Sequence, residues 1–310
     1  MVIMFGRRWF KLMLAATIAV TSFSGLNGCA GSPLPSDGKP LIVASMYPFA
    51  FLASSIAGDH ADVTTLVPPG TEPHDYELRA SQAASLQTAA VVVYQEGISA
   101  AVDQAITQAA PAHLVQTGTL TQLLPAESGD DEAAGSYAFD PHTWLDPANM
   151  IVFADAITAA ISAADPVNAA AYQANDAALK TNLKTLDSQF SEGLADCQRT
   201  AFMTTHAAFG YLARHYGLTQ LPIAGATPED EPSPRRLGEL AQQARSLGLT
   251  TVFFETLVSP DYANTLAADL KLRTDVLDPL EAVTKASRGS DYLQIMTANL
   301  QALRTANGCP

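Results

Sequence analysis

Short apolar runs alternate with stretches whose hydrophobic positions recur at helical spacing. Residues 41–45 (LIVAS) read as a buried strand, and a helical run follows around 51–57. Residues 63–67 form a second strand, stopped by Pro68-Pro69-Gly70. A helix over 81–89 leads into a third strand at 90–94 (AVVVY), and 113–116 is a candidate fourth. After a helix over 151–164, the style repeats. Strands are predicted at 201–205, 250–254 and 274–277, with helices over 206–216 and from Ser233-Pro234, a cap and first-turn pair, to 247. Short apolar strands between helices predict parallel α/β sheets. No sequence repeat is evident.

Between the two α/β stretches lies one long helical segment. Residues 168–194 contain no proline, and the only glycine is Gly193 near the end. Leu179, Leu183, Leu186, Phe190 and Leu194 form a single apolar stripe. At 1.5 Å per residue the segment spans about 40 Å. Its position suggests a rigid strut joining two lobes; the alternative is a long packing helix within one domain. The expected organisation is a signal segment 1–28, a tether 29–40, an N-terminal lobe 41–165, the linking helix 166–196 and a C-terminal lobe 197–310.

The N-terminus changes the picture of location. Arg7, Arg8 and Lys11 precede an apolar stretch too short to span a bilayer, and Leu26-Asn27-Gly28-Cys29 resembles a bacterial lipobox. The expectation is cleavage before Cys29, lipid on its sulfur, and a chain held on the extracytoplasmic face of the cell membrane by the lipid alone. Acids outnumber bases 31 to 17 for a net charge of −14, or −17 once those three bases are removed. Such a surface argues against nucleic acid, which needs a basic one. Of the three cysteines, Cys197 and Cys309 remain, and an oxidising location favours a disulfide between them. Two separate thiols are the alternative.

Candidate chemistry rests on histidine. His74 follows the Pro-Pro-Gly stop, His142 lies in DPHTWLDP, and His206 follows a predicted strand. Ligands in open α/β sheets sit beyond the C-terminal strand ends. Three neutral imidazoles with one carboxylate make a tetrahedral metal set, and Asp278, after the strand at 274–277, is the best-placed carboxylate. Glu255 ends the FFE strand and serves there in structure, as a partner of a ligand, or as an alternative carboxylate. His215, nine residues from His206, faces away on a continuous helix. His60 and His113 sit at a turn and a strand start and are non-ligating. The acidic segment 124–136 contains no histidine and reads as a surface loop. Spacing alone leaves the metal reading weak.

The stretches LVPPGTEPHDYEL, DPHTWLDP, TTHAAFGYLARHYGL, EDEPSP, FFETLVSP and LDPLE, in this order, resemble the zinc/manganese ABC-importer solute-binding proteins. The resemblance covers nearly everything from Leu41 onward. It implies two Rossmann-like lobes with parallel sheets, one rigid linking helix, and metal in the interlobe cleft on His74, His142, His206 and Asp278. It implies an ABC permease and its ATPase as partners, a monomer, and no enzymatic activity. His206 stands where manganese-type members tend to carry Glu, so zinc is the expected cargo, with Mn2+ or Fe2+ as the alternative. A zinc hydrolase is the rival from another class, but no H-E-x-x-H or nucleophile elbow occurs.

Overall fold

The computed structural model describes residues 38–126, 138–228, 232–257 and 259–310. Cys29 with its expected lipid, the signal segment 1–28, most of the tether and most of the acidic segment lie outside the described residues. The first half runs β1 (Leu41–Ala44), α1 (Tyr47–Ala57), β2 (Asp62–Thr65), α2 (Ala80–Thr88), β3 (Val91–Tyr94), α3 (Ala100–Ala109), β4 (Leu114–Gln116) and α4 (Pro147–Ala164). After α5 (Ala169–Leu194) come β5 (Ala201–Thr204), α6 (Gly210–His215), β6 (Thr219–Pro222), α7 (Pro234–Ser246), β7 (Thr251–Phe254), α8 (Asp261–Leu270), β8 (Arg273–Val276) and α9 (Tyr292–Asn307).

Two four-stranded parallel sheets result, ordered β2-β1-β3-β4 and β6-β5-β7-β8. The same strand order appears in both, although no repeat is visible in the residues. β3 (VVVY) and β5 (AFMT) are buried throughout, as inner strands covered on both faces must be. In each sheet the chain leaves its first strand to one side and returns to the other. A crevice opens at that reversal, beyond the C-terminal ends of β1 and β3 and of β5 and β7.

The expected strands are present within a residue or two. The helix expected over 206–216 begins only at Gly210, because the backbone of His206 is diverted. Its carbonyl accepts from Thr204 Oγ1 (2.7 Å) and Gln220 Nε2 (2.9 Å), and Ala207 N donates to Gly225 O (2.8 Å). β6, α3, α8 and α9 were not evident from patterning. β6 is hidden by its polar start and by Pro222, which is tolerated on an edge strand.

α5 has 26 residues and its buried apolar side chains are Tyr172, Leu179, Leu183, Leu186, Phe190 and Leu194, the predicted stripe and one apolar residue more. It packs on α1 and α4 from the first half and on α9 from the second. Each of those buried side chains contributes roughly 1.5–3 kcal/mol. α4 has the length and apolarity of a membrane span, yet its Met150, Phe153, Ile157 and Ile161 are buried against α1 and α5, as in a core helix.

The main core runs without a break from one half into the other. Phe49 meets Trp144 edge-on (6.0 Å), and Phe51 stacks on Tyr292 (5.4 Å). Buried hydrogen bonds cross the same boundary. Trp144 Nε1 donates to Pro279 O (2.8 Å), Tyr292 OH to Trp144 O (2.7 Å) and Tyr211 OH to Asp140 O (2.8 Å). A disulfide joins Cys197, before β5, to Cys309 beyond α9, closing 112 residues of chain.

Candidate metal centre

Four buried side chains converge in the crevice: His74, His142, His206 and Glu281. Three of them, His74, His206 and Glu281, arrive from beyond a strand end. His74 lies in the loop after β2, and its backbone N–H donates to Glu72 Oε2 (2.9 Å). His142 belongs to a compact turn before α4. Asp140 Oδ1 accepts both its backbone N–H (2.9 Å) and its Nδ1–H (2.7 Å), while Asp146 Oδ1 caps α4 at Ala148 N (2.9 Å). The two Asp-Pro pairs of DPHTWLDP thus serve as an orienting carboxylate and a helix cap. Thr143, next to the ligand, donates to the buried Gln95 after β3 (3.1 Å). His206 follows β5, and its Nδ1 donates to Glu255 Oε1 (2.6 Å) after β7.

Glu281 arrives from β8 through a sharp turn. Asp278 Oδ1 accepts from Leu280 N (2.9 Å), and Asn299 clamps the Asp278 backbone on both sides (2.9 and 2.7 Å). Leu280 is held at φ 58, the left-handed region that a branched side chain rarely adopts. That kink carries the next residue into the crevice.

The distances decide what this group can hold. Glu281 Oε1 lies 3.4, 3.4 and 3.5 Å from the Nε2 atoms of His74, His142 and His206. His142 Nε2 and His206 Nε2 are 3.3 Å apart, and all four ligand atoms lie within 4.8 Å of one another. A tetrahedral zinc ion with bonds of about 2.0–2.1 Å has ligand–ligand edges of about 3.3–3.4 Å. Four of the six edges therefore already have the length that one ion would impose.

Electrostatics points the same way. The Nδ1 atoms of His142 and His206 are both committed to carboxylates, so it is their Nε2 atoms that face each other and Glu281. Neither oxygen of Glu281 has a donor in hydrogen-bonding geometry among the described residues. Such a cluster requires positive charge at its centre. Burial opposes charge on both imidazoles, but the carboxylates of Asp140, Glu255 and Glu281 outweigh it. His142 is held above the ordinary histidine range and His206 well above it. Burial likewise opposes the charge of Glu281, yet the three imidazoles hold it well below the usual carboxylate range.

Residues 42–306 match the family described as zinc-uptake complex component A, periplasmic. The chain belongs to this family. Among its relatives, the zinc-binding lipoprotein AdcA of Streptococcus pneumoniae R6 is 37% identical over 281 residues, covering 87% of this chain and 56% of AdcA. The chain thus spans little more than half the length of the streptococcal AdcA proteins it matches. The high-affinity zinc uptake system protein ZnuA of Bacillus subtilis 168 is 32% identical over 310 residues, covering 96% of this chain and 97% of ZnuA. The crystal structure of the Zn(II)-bound ZnuA-like domain of S. pneumoniae AdcA superposes with a TM-score of 0.74 at 35% identity, covering 87% of this chain and 99% of that domain.

The structure brings together three of the four residues expected as ligands. Asp278, the expected carboxylate, is not in the group. It follows β8 as expected and is buried, but its oxygens accept from Leu280 N and, at 3.4 Å, from Thr256 Oγ1. Burial pushes its carboxyl above the ordinary range. The acceptor aimed at the histidines is Glu281, three residues on. One signal was available: Asp before Pro habitually closes a local turn through its own oxygen, which leaves the Glu of LDPLE as the free carboxylate.

The other histidines stay out of the group. His215 Nδ1 bonds Asp146 Oδ1 (2.7 Å) and its ring stacks on Tyr216 at 4.4 Å. His60 meets Tyr172 edge-on (6.1 Å), and His113 lies just before β4, partly buried. Tyr76 stays at the site's edge, bonded to Gln82 Oε1 (3.0 Å).

Proposed function

We propose that this chain is the extracytoplasmic substrate-binding component of a metal ABC importer, and that it captures Zn2+ with His74, His142, His206 and Glu281. The observation that carries the reading is the near-tetrahedral spacing of three imidazole nitrogens and one carboxylate oxygen, all buried. Zinc is the cargo in this reading, and a permease with its ATPase receives it. The relatives named for zinc binding and zinc uptake support it. So does the donor set: imidazole-rich coordination suits a borderline-soft ion better than manganese, which favours oxygen.

His74 and His142 come from the lobe at 41–165, and His206 and Glu281 from the lobe at 197–310, so bound metal bridges the two. The Nδ1–H bonds to Asp140 and Glu255 hold two ligands with their Nε2 lone pairs facing the ion, so little reorganisation accompanies capture. Four protein donors leave no open corner for a water nucleophile, which favours carriage over hydrolysis. The lipid anchor on Cys29 and the monomeric state belong to the same proposal.

Elemental analysis of protein purified without chelators, followed by competition between zinc and manganese, tests the reading. One zinc per chain, retained against excess manganese, is the expected result. Protein that takes up no zinc, or prefers manganese, would overturn it.

A further inference from the structure

Glu255 is a buried carboxylate that does not belong to the four converging groups. It follows β7, while His206 follows β5, and the two strands are paired neighbours with Thr204 opposite Phe253. The adjacent strand therefore delivers Glu255 beside His206. Its Oε1 accepts from two donors, His206 Nδ1 at 2.6 Å and the hydroxyl of Thr205. Its Oε2 is buried without a hydrogen-bond partner among the described residues. The residue is only 3% exposed, and His206 is its ion-pair partner among those residues.

Such a placement is costly to the fold alone. A neutral side chain of the same shape would fill the space without a buried, half-satisfied anion. What the anion supplies is a strong acceptor on the far side of a ligand ring. The Nδ1–H is fixed, the ring plane is set, and the Nε2 lone pair is made more basic toward the crevice. Asp140 does the same for His142, but from two residues away in the chain, where local turn geometry already demands an aspartate. Glu255 has no such local duty.

We propose that Glu255, with Thr205 as its second donor, is the positioning residue that sets how tightly His206 holds the metal. The inference rests on the zinc-binding reading above. Removing a partner of this kind weakens metal affinity by about 10–100-fold.

The test uses the full chain, with Glu255→Gln, Thr205→Val and Thr205→Ser. Zinc affinity is measured by chelator competition, and the histidine ring protons are followed by NMR in zinc-loaded, 15N-histidine protein. Glu255→Gln is expected to bind zinc about 10–100-fold more weakly, while its metal-free melting temperature holds or rises. In the same sample the His206 Nδ1–H resonance should move upfield and exchange faster, while that of His142 stays in place. Thr205→Val should show a smaller loss that Thr205→Ser restores, which keeps the question answerable if Glu255→Gln folds poorly. Wild-type protein that takes no zinc defeats the proposed function and this inference with it. Wild-type zinc binding with unchanged affinity and an unmoved His206 signal in Glu255→Gln defeats this inference alone.

Discussion

Replacing Glu281 by Gln keeps the volume and removes the one anionic donor of the cluster. Structural zinc sites bind with about 10–16 kcal/mol spread over four ligands, so one ligand accounts for roughly 3 kcal/mol, or about 100- to 1,000-fold in Kd. Gln cannot recover this, because the three Nε2 atoms around Glu281 Oε1 at 3.4–3.5 Å need an ion between them and a strong acceptor to balance it. Thermal unfolding reads the change directly. At free zinc 1,000 times the wild-type Kd, binding stabilises the folded chain by about 4.1 kcal/mol. In Glu281→Gln the same zinc concentration gives only about 0.4–1.4 kcal/mol. At about 2–4 °C per kcal/mol, a zinc-induced rise of about 8–16 °C shrinks to about 1–6 °C. Asp278→Asn is the matched control. Its amide oxygen still accepts from Leu280 N, so the turn that carries Glu281 survives, and zinc affinity is expected within about threefold of wild type. If Asp278→Asn loses the zinc-induced shift and Glu281→Gln keeps it, the placement of the carboxylate argued from the turn is wrong.

Three other outcomes are expected. Zinc affinity should fall as pH is lowered: carboxylate partners raise the proton affinity of His142 and His206, so zinc must displace protons there, at up to about tenfold per pH unit for each imidazole protonated in the metal-free chain. Competition titrations giving equal affinity at pH 5 and pH 8 would contradict this. Replacing Cys197 and Cys309 by Ser should cost about 4–5 kcal/mol of unfolding free energy in a chemical denaturation series, because the bridge closes a 112-residue loop. Zinc Kd should stay within about threefold, since the bridge lies before β5 and the ligands lie beyond its other end. His206→Ala should weaken zinc binding at least about 100-fold by the same per-ligand share as Glu281. His215→Ala, which gives up a part-buried bond to Asp146 and the stacking on Tyr216, should cost about 1 kcal/mol of stability and leave zinc Kd unchanged.

The buried inner strands and the stripe of α5 were legible because burial on both faces, or on one helical face, writes its period directly into the residue pattern. His74 and His206 were legible for a related reason: each follows a strand whose end can be read, and strand ends are where such sheets expose ligands, whereas His142 was marked only by its DPHTWLDP setting. What escaped was decided by partners distant in sequence. β6 forms because β5 offers an edge to Thr219–Pro222, not because those four residues favour a strand. The helix expected from His206 starts late because Gln220 and Gly225, on another segment, take up its backbone. Asp278 looked the better placed of the carboxylates in LDPLE, and the left-handed turn at Leu280 separates it, as the one that shapes the chain, from Glu281, the one that reaches the histidines.

A site divided between two halves invites the picture of jaws closing on a metal, but the packing restricts that motion. Trp144, two residues after His142, is gripped by the second half at both ends. Its indole N–H reaches Pro279 O, two residues before Glu281, and its carbonyl receives Tyr292 OH. Each such buried bond contributes only about 1 kcal/mol, but breaking one inside a continuous core also strands a desolvated partner. His142 and Glu281 are therefore held in register across the boundary whether or not the halves carry an ion, and His206 is tied to that same frame through Glu255. His74 joins that frame from the first half: Ser99 Oγ donates to Tyr76 O (3.0 Å) and Tyr76 OH to Gln82 Oε1 beside it, and the His74 Nε2 lies 3.4 Å from Glu281 Oε1. With the four groups already this close and the core continuous beneath them, only small rearrangements are expected on metal capture, in place of a wide closure of jaws.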